Sequence, residues 1–398
     1  MDDKYVLAID VGTSSIKVFV GKIEIEGNIT VAGSGTTAAK GIERGIVSDL
    51  PLLVQSIEQA VECAVMATNF SVTDAFIGVG GIKLKAADSV GSVTPLNPGG
   101  ITPDDVERVY RAAALVAVPD DHKVLHILPK RIFVDKERRN ELPIQEKGSH
   151  LEVEAHVVSI PKVLYGNLAE AIEGVGINVI GMAANAVVVA EALVPAPVDT
   201  MLVIDVGAGI TEMVLYHNKQ IDGMTALPLG GNYITNDIMQ GLVVSWEHAE
   251  EIKKYYAKLS KDLLGKKAVL DCNAYGTNDK NVSYDFLYEI VESRIRELVY
   301  LIYEHSKVFL AERKIEKVLL AGGCGAMLSF VERIETTFGV PAEIINLQEL
   351  PFEYNSPRNI ACYGILKYAG KNLPRTQVGI ERNLWRLLIG KCKNFFCN

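Results

Sequence analysis

The feature that most constrains the fold is a pair of similar segments that lie about half a chain apart. In residues 5–17 a β-branched, aliphatic run leads into Asp-Val-Gly and then hydroxyl residues; residues 201–212 repeat this order with a second Asp-Val-Gly. A further echo links residues 75–81 to residues 318–325. Two echoes in the same order predict a duplicated α/β unit instead of a chance motif.

Each Asp-x-Gly turn has the chemistry of a phosphate site. Backbone N–H groups and hydroxyl donors at such a turn bind a concentrated anion, and the preceding Asp can hold hydrated Mg²⁺. One copy is equally typical of a β-hairpin whose Asp caps the turn, but one copy in each half favours a nucleotide site. The candidate residues are Asp10, Gly12, Thr13, Ser14, Ser15 and Lys17 in the first half and Asp205, Gly207, Gly209 and Thr211 in the second, with Asp10 and Asp205 facing the metal through water.

Other segments carry weaker signals for the same ligand. Lys17 lies two residues after Ser15 on a predicted strand, so both can face the phosphates; the alternative for Lys17 is a solvated strand lysine. Glycine-rich backbone can approach an adenine ring or a phosphate closely, although a strand-to-helix turn or a plain helix cap has the same composition. The candidates in these segments are Gly230, Gly231, Asn232 (expected near a helix cap), Gly322, Gly323, Gly325 and Met327. Cys324 is interpreted as a small buried residue, not a nucleophile.

Periodicity divides the chain into cores and insertions. Amphipathic patterns predict helices over residues 52–68, 104–116 and 284–314, strands over residues 124–134 and 151–158, and a loop over residues 273–281. The predicted parts are an N-terminal lobe core (1–83 and 161–195) with an inserted α+β subdomain (84–160), a C-terminal lobe core (196–231 and 291–370) with a second inserted subdomain (232–290), a linker (371–381) and a final helix (382–398).

The final helix has the composition of an interfacial helix. At about 100° per residue its bulky apolar side chains, including Trp and Phe, fall in one arc and its cations flank that arc. Such a helix binds anionic headgroups; the alternative is a terminal helix docked on the body. The expected membrane-binding residues are Arg382, Leu384, Trp385, Arg386, Leu388, Ile389, Lys393, Phe395 and Phe396.

Composition excludes several classes of protein. A net charge of −9 argues against a general nucleic-acid binder, because phosphate neutralisation needs a basic face. The six cysteines form no CxxC pair or zinc spacing and are typical of a reducing compartment. The acidic N-terminus does not resemble a signal peptide, and no apolar run reaches the roughly 18 residues of a spanning helix. We therefore expect the protein to stay inside the cell.

These residues together resemble FtsA, the bacterial cell-division family of the actin superfamily. The resemblance runs from about residue 4 to the end and includes both phosphate turns, residues 229–238 and residues 249–253. Its most specific parts are residues 124–129 and 151–158, which are similar to the subdomain inserted in FtsA; actin, Hsp70 and sugar kinases do not share that insertion.

The resemblance implies a duplicated actin-like (ribonuclease H-like) two-lobe ATPase fold with ATP and Mg²⁺ bound, and places Glu250 and Lys253 near the ribose and adenine. Alone, that pair is more often a surface ion pair. The resemblance also implies filament formation, tethering of FtsZ to the inner membrane face at the division site, and recruitment of other division proteins. In the family, the subdomain matching residues 232–290 carries the FtsZ contact.

Departures from the family pattern concern hydrolysis. In the second turn Ala208, Ile210 and Glu212 replace the usual Gly, Thr and Asp, which removes one hydroxyl donor. The position where relatives carry a carboxylate near the Ala-rich helix start is expected near Gly181 and Met182, so the water-orienting group is missing. We expect ATP binding with slow or negligible hydrolysis.

Two other functions fit the same fold. One is an actin-like scaffold of a membrane machine, such as the PilM-like proteins of pilus assembly, which do not normally end in such a helix. The other is a small-molecule kinase, which needs a catalytic Asp and a substrate pocket; no motif provides them.

Overall fold

The computed structural model describes residues 4–24, 28–68, 71–193, 199–218, 220–256, 269–271, 281–311 and 313–373. They form two compact units. The first comprises the described residues of Met1–Asp199, Val214–Met224 and Ala361–Asn398, and the second those of Thr200–Met213 and Thr225–Ile360.

The first unit is built on a five-stranded sheet with the order β11-β6-β1-β2-β3. β1 is antiparallel to β2 and parallel to β6, and β11 is parallel to β6. β1 reads as a continuous buried run, as expected of a strand covered on both faces. The elements of this core are β1 (Lys4–Val11), β2 (Ser15–Ile23), β3 (Ile29–Ala38), β4 (Ile42–Glu43), β5 (Ile46–Val47), α1 (Leu50–Met66), β6 (Asp74–Val79), α3 (Lys162–Glu173), β11 (Asn178–Ala184), α4 (Asn185–Ala192) and α10 (Ile360–Asn372).

A second sheet within the first unit follows β6 in the chain. Its elements are β7 (Lys85–Val93), α2 (Pro103–Ala117), β8 (His122–Val134), β9 (Glu137–Arg139) and β10 (Leu151–Pro161), with the strand order β7-β10-β8-β9 and antiparallel pairing. Thr102 and Asp105 form a capping box that starts α2. α2 approaches β7 closely at Gly91, where a side chain would overlap the helix backbone. The helix and the two long strands predicted for this region are present.

The second unit repeats the strand order of the first. Its sheet runs β14-β13-β12-β17-β18, with β12 parallel to β17 and β17 parallel to β18. Read from the other edge, the first sheet is β3-β2-β1-β6-β11, so corresponding strands occupy corresponding positions. The elements are β12 (Thr200–Val206), β13 (Thr211–His217), β14 (Gln220–Leu227), β17 (Lys317–Ala321), α8 (Gly322–Gly325), α9 (Leu328–Phe338) and β18 (Ala342–Ile344). The duplication predicted from the two sequence echoes is confirmed.

Helices dominate the described part of residues 232–310. α5 (Asn232–Leu242), α6 (Trp246–Tyr256), the short pair β15 (Val269–Asp271) and β16 (Asn281–Ser283), and α7 (Tyr284–Leu310) follow one another. Ser283 caps α7 by accepting from the Phe286 N–H at 3.2 Å. α7 ends at Leu310, four residues before the predicted end at Lys314. The N–H of the following residue, Ala311, donates to the Lys307 carbonyl. Most of the predicted loop 273–281 lies outside the described residues.

The C-terminal predictions also fall largely outside the described residues, which stop at Leu373. α10 continues to Asn372, two residues into the segment predicted as linker. The predicted membrane helix, 382–398, is not described. Among the helices that are described, none combines the length and apolarity needed to cross a bilayer.

Candidate functional site

The first Asp-x-Gly turn joins β1 to β2. The ladder closes with Val11 opposite Ile16, and the Gly12 N–H donates to the Ser15 carbonyl at 3.2 Å. A Cβ on Gly12 would lie 2.9 Å from that carbonyl oxygen, so the turn requires glycine. Ser14 at the tip is exposed and Thr13 and Ser15 are half-buried. The predicted hydroxyl donors therefore cluster at one turn, where an anion can reach them.

Asp10 lies at the end of β1 and is only 4% exposed. Lys17, its partner across the β1–β2 ladder, donates from Nζ to Asp10 Oδ2 at 3.0 Å. The Lys17 side chain is 16% exposed, so it is not a solvated strand lysine. A second donor, Asn185 Nδ2, binds Asp10 Oδ1 at 2.9 Å. Each Asp10 carboxylate oxygen therefore accepts a hydrogen bond from a side chain of the protein itself.

Asn185 is the site residue that sequence reasoning missed. It is the first residue of α4, is 7% exposed, and its Oδ1 is buried with no partner among the described residues. Gly78, opposite Asp10 in β6, makes room for it, because a Cβ there would overlap Asn185 Oδ1. The available signal was its position between a strand and an Ala-rich helix.

The Ala-rich helix starts a few residues after Gly181 and Met182. Gly181 and Met182 lie inside β11, paired with β6, and not at the start of the Ala-rich helix. The helix, α4, starts at Asn185, directly after the last residue of β11. An amide, which cannot accept a proton as a general base, therefore occupies the helix start.

The second Asp-x-Gly turn repeats the geometry of the first. The Gly207 N–H donates to the Ile210 carbonyl at 2.9 Å, and a Cβ on Gly207 would lie 3.0 Å from that oxygen. Residues 228–232, which follow β14 and are called the glycine segment below, pack on this turn. The Gly231 N–H donates to the Gly207 carbonyl at 3.0 Å and the Asn232 N–H donates to the Ala208 carbonyl at 2.8 Å. Two segments predicted separately are therefore parts of one structure.

Thr211 of the second turn and Asn232 of the following glycine segment both make hydrogen bonds within the second unit. Thr211 is 1% exposed and its hydroxyl donates to the Leu229 carbonyl at 2.8 Å, so it supports the neighbouring loop instead of presenting a donor to a ligand. Asn232 is the first residue of α5 and directly follows the cap residue Gly231, so it lies near the helix cap, as predicted. Its backbone N–H donates to the Ala208 carbonyl at 2.8 Å.

Glu250 and Lys253 form a buried cluster with the glycine segment, not a surface ion pair. Lys253 is 7% exposed and its Nζ binds Glu250 Oε2 at 2.6 Å, Thr235 Oγ1 at 2.8 Å and Gly231 O at 3.2 Å. The Thr235 hydroxyl also binds Glu250 Oε2, at 2.7 Å. Burial opposes the ionisation of Glu250, but the charge and hydrogen bond of Lys253 outweigh it and lower the pKa of Glu250.

Residues 322–327 continue the same region of the second unit. Gly322 has φ +81°, and a side chain there would overlap Asp205 Oδ1 and Val206 O. Cys324 is buried beside Gly231, and burial raises the pKa of its thiol, as expected for a structural residue.

The remaining candidates of this segment differ in accessibility. Gly325 and Met327 are both buried, Met327 at 2% exposure, so the Met327 side chain is not presented to a ligand. Arg358, which sequence analysis did not single out, lies beside Gly323: a Cβ on Gly323 would be 3.4 Å from its Nε. An exposed cation therefore stands next to the glycine backbone.

The acidic residues fit Mg²⁺ held through water better than a metal held by a protein cage. Within the described part of the chain, no three His, Cys, Asp or Glu side chains converge in a metal-binding arrangement. Asp10 already accepts bonds from Lys17 and Asn185, but a carboxylate has about four lone-pair sites and can accept further bonds from metal-bound water. Mg²⁺ usually keeps several waters and takes one or two carboxylates plus substrate phosphates.

Two family models match the chain. The model described as cell division protein FtsA matches residues 202–364, and the model described as the SHS2 domain inserted in FtsA matches residues 81–159. Together they span more than half of the chain. The cell division protein FtsA of Pseudomonas aeruginosa is 28% identical over 86% of this chain and 82% of its own length, and that of Bacillus subtilis is 28% identical over 81% and 74%.

Solved structures similar to this chain share the actin-like fold. The PilM–PilN type IV pilus biogenesis complex has a TM-score of 0.66 at 16% identity and covers 92% of this chain and 98% of that one. MreB5 of Spiroplasma citri bound to ADP has a TM-score of 0.52 at 12% identity, covering 93% and 98%, and a MamK double helical filament 0.53 at 12%, covering 93% and 99%. At these identities the similarity establishes the fold alone.

Proposed function

Because the chain belongs to the FtsA family of cell division proteins, we propose that it is an ATP-binding, filament-forming protein that tethers FtsZ filaments to the inner face of the cell membrane and recruits other division proteins. The observation that carries this proposal is the joint match of residues 81–159 and 202–364 to FtsA and to the subdomain inserted in it. The contact with FtsZ is assigned to residues 232–290, which match the subdomain that carries it in the family.

Nucleotide binding is supported by the local geometry of each unit. Both turns close with the same glycine N–H to carbonyl bond, from Gly12 to Ser15 and from Gly207 to Ile210. These bonds fix the shape of each turn, and a turn with successive backbone N–H groups and hydroxyl residues is a suitable site for an anion such as phosphate. MreB5, which shares the fold, was solved with ADP. We assign the phosphates to the two turns and the ribose and adenine to the neighbourhood of Glu250 and Lys253.

Mg²⁺ would be held by Asp10 and Asp205 through water, where it would neutralise charge on the phosphates. The chain's own residues have a positioning role. Lys17 and Asn185 fix the Asp10 carboxylate, and Gly322 fixes the backbone beside Asp205. Lys253 joins Glu250 to the Gly231 carbonyl, which sets the glycine segment relative to α6.

Hydrolysis is expected to be slow, because the residue at the start of α4 is Asn185. An amide can orient water by hydrogen bonding but cannot take its proton, whereas a positioned base contributes typically 10²–10⁴-fold. Phosphate release from ATP and Mg²⁺ should therefore stay below one turnover per minute. Several turnovers per minute would contradict this prediction.

The tether is tested by sedimentation with anionic liposomes in the presence of ATP and Mg²⁺, with and without the FtsZ of the host. Full-length protein is compared with a truncation that ends at Gly379, which removes the apolar and cationic residues of the final segment. We expect the full-length protein to pellet with the liposomes and carry FtsZ with it, and the truncation to do neither.

Other outcomes separate the parts of the proposal. If the protein pellets but leaves FtsZ in solution, the membrane helix stands and a scaffold of another membrane machine, such as a PilM-like protein, becomes the better assignment. If the truncation pellets equally well, the membrane-helix assignment is wrong. Neutral liposomes serve as the control for the charge contribution of the cations.

A further inference from the structure

The tip of the β13–β14 hairpin groups with the first unit, although both strands belong to the sheet of the second. Residues Val214–Met224 are assigned to the first unit, whereas the flanking Thr200–Met213 and Thr225–Ile360 form the second. An ion pair within the first unit joins this part of the hairpin to the inserted subdomain. Lys130 of β8 binds Asp222 of β14 through both the carboxylate, at 2.7 Å, and the backbone carbonyl, at 2.9 Å.

Lys130 reaches Asp222 because it lies on a β-bulge. In the β8–β10 ladder Arg131 pairs with Glu154 and Pro129 pairs with Ala155, so Lys130 has no opposite residue. A bulge of this kind changes the direction of a side chain and is a specific feature of a strand, not a defect. The side chains of Lys130 and Asp222 are 18% and 17% exposed. This ion pair is therefore considerably more shielded from water than a typical surface pair.

A second carboxylate secures Lys130 from its own sheet. Asp88 of β7 accepts from Lys130 Nζ at 2.9 Å and from His156 Nδ1 at 2.6 Å, and His156 is 5% exposed. Burial opposes the charge on Asp88, but its bonds with His156 and Lys130 lower its pKa to about 2. Burial likewise disfavours the charge on Lys130, and its two carboxylate partners outweigh this and raise its pKa. Lys130 and Asp88 therefore both remain charged at neutral pH.

The hairpin that Lys130 holds is covalently continuous with both proposed phosphate segments of the second half. β13 begins at Thr211, the end of the Asp205 turn, and β14 ends at Leu227, immediately before the glycine segment. Asp222 lies within β14, five residues before its last residue, Leu227. A displacement of either segment has a direct route along the strands to Asp222.

From this geometry we infer that Lys130, Asp88 and Asp222 form a clasp that fixes the inserted subdomain to the β13–β14 hairpin and transmits nucleotide-dependent movement of the hairpin to that subdomain. The second half of this inference rests on the proposed ATP binding, and the first half does not.

The test is hydrogen exchange of the full-length protein measured by mass spectrometry. Without nucleotide, Lys130→Met should raise the exchange of amides in β7 (Lys85–Val93) and in the hairpin by at least tenfold, because the clasp no longer opposes local opening. The matched control is Arg131→Met, which removes the neighbouring cation of the same strand. Arg131 pairs with Glu154 inside the subdomain, so its loss should change hairpin exchange less than threefold.

A double-mutant cycle distinguishes the loss of the Lys130–Asp222 interaction from a general loss of stability. Asp222→Asn alone should reproduce the effect on β7, but in the Lys130→Met background it should add less than threefold, since the interaction is already lost. Equal exchange in Lys130→Met and Arg131→Met, or full additivity of the two substitutions, would overturn the clasp.

The nucleotide arm tests transmission. ATP with Mg²⁺ should change the exchange of β7 in the unmodified protein but not in Lys130→Met, while both bind a fluorescent ATP analogue within threefold of each other. A change of equal size in both proteins would overturn transmission. If the unmodified protein binds no ATP, the proposed nucleotide function and transmission both fail, and the clasp itself is judged on the nucleotide-free arm.

Discussion

Asp10 and Glu250 are carboxylates in largely buried surroundings, and each is held by a close cation and a neutral side chain; Glu250 also has Lys254 at 3.7 Å. Lys17 and Asn185 bind Asp10, and Lys253 and Thr235 bind Glu250. Since a buried charge without partners is costly, these neighbours offset the cost of burying each carboxylate. At the scale of single residues, each half of the chain therefore provides partners for a largely buried carboxylate, but the residues that do so differ.

Removal of Asn185 should therefore destabilise the first unit. Asn185→Ala leaves Asp10 Oδ1 without its amide donor, and a buried group that loses its partner costs about 1–3 kcal/mol. Urea unfolding measures the loss. Asn178→Ala is the control, because Asn178 makes a similar bond to Asp74 at an exposed position and should change stability by about 0.5 kcal/mol or less. Equal effects of the two substitutions would contradict a special role for Asn185.

Removal of Lys253 should have a pH-dependent effect. Lys253→Met leaves Glu250 partly buried without its closest cation, with only Lys254 at 3.7 Å remaining. We expect a loss of about 2–3 kcal/mol at pH 7, less than for a fully buried pair because Glu250 is partly exposed. The folded-state pKa of Glu250 lies below 4.5, so this stabilisation is present above pH 4.5 and is lost as the pH falls through that lower value. Unfolding at pH 7 and pH 3.5 should show the difference between the two proteins shrinking in acid.

At the scale of elements, glycines decide how closely the turns approach one another. Gly230 and Gly322 both lie where a Cβ would meet backbone of the Asp205 turn. Because β12 and β17 are parallel neighbours with Asp205 opposite Ala321, the residue after Ala321 has to pass beside the Asp205 carboxylate. The close packing of these segments is therefore a property of backbone, and side chains would prevent it.

Gly322→Ala and Gly339→Ala separate crowding from backbone strain. Gly339 has φ +69° with open space around its Cβ position, whereas Gly322 has φ +81° and no space. Gly339→Ala should cost about 1 kcal/mol for the left-handed conformation alone. Gly322→Ala should cost about 3 kcal/mol or more and weaken ATP binding at least tenfold. Thermal unfolding and nucleotide titration check both values, and similar costs would mean that the contact with Asp205 relaxes freely.

At the scale of the whole molecule, the described residues of each compact unit include one buried thiol. Cys362 of the first unit and Cys324 of the second are both buried, and burial raises both thiol pKa values. Cys362 donates to the Ala8 carbonyl in β1, and Cys324 lies beside Gly231. Each thiol therefore reports the opening of its own half of the duplicated fold.

Thiol labelling should resolve these openings. In variants that keep a single cysteine, Cys63 should react at once because it is exposed, and Cys324 and Cys362 should react only as fast as their units open. ATP at 100 times its Kd stabilises a binding-competent state by about 2.7 kcal/mol, so it should slow labelling of Cys324 by up to about 100-fold. If ATP leaves the labelling rate of Cys324 unchanged, the nucleotide does not bind near the glycine segment.

The sequence alone determined the duplicated α/β fold, the two Asp-x-Gly turns and the identity of the inserted subdomain. These features follow from neighbours in the chain: strand periodicity, the glycine that a tight hairpin requires, and the order of repeated segments. Even the Asp10–Lys17 pair is local, because a two-stranded ladder brings residues seven apart together.

Only the tertiary structure decided which side chains hold the carboxylates and which merely support the loops. Asn185 meets Asp10 across 175 residues and Lys130 meets Asp222 across 92. Such contacts depend on the parallel pairing of β1, β6 and β11 and on one bulge in β8, which no local pattern specifies. The same holds for Thr211, whose hydroxyl has the right chemistry for a phosphate but faces the Leu229 carbonyl, because packing of the glycine segment directs it there.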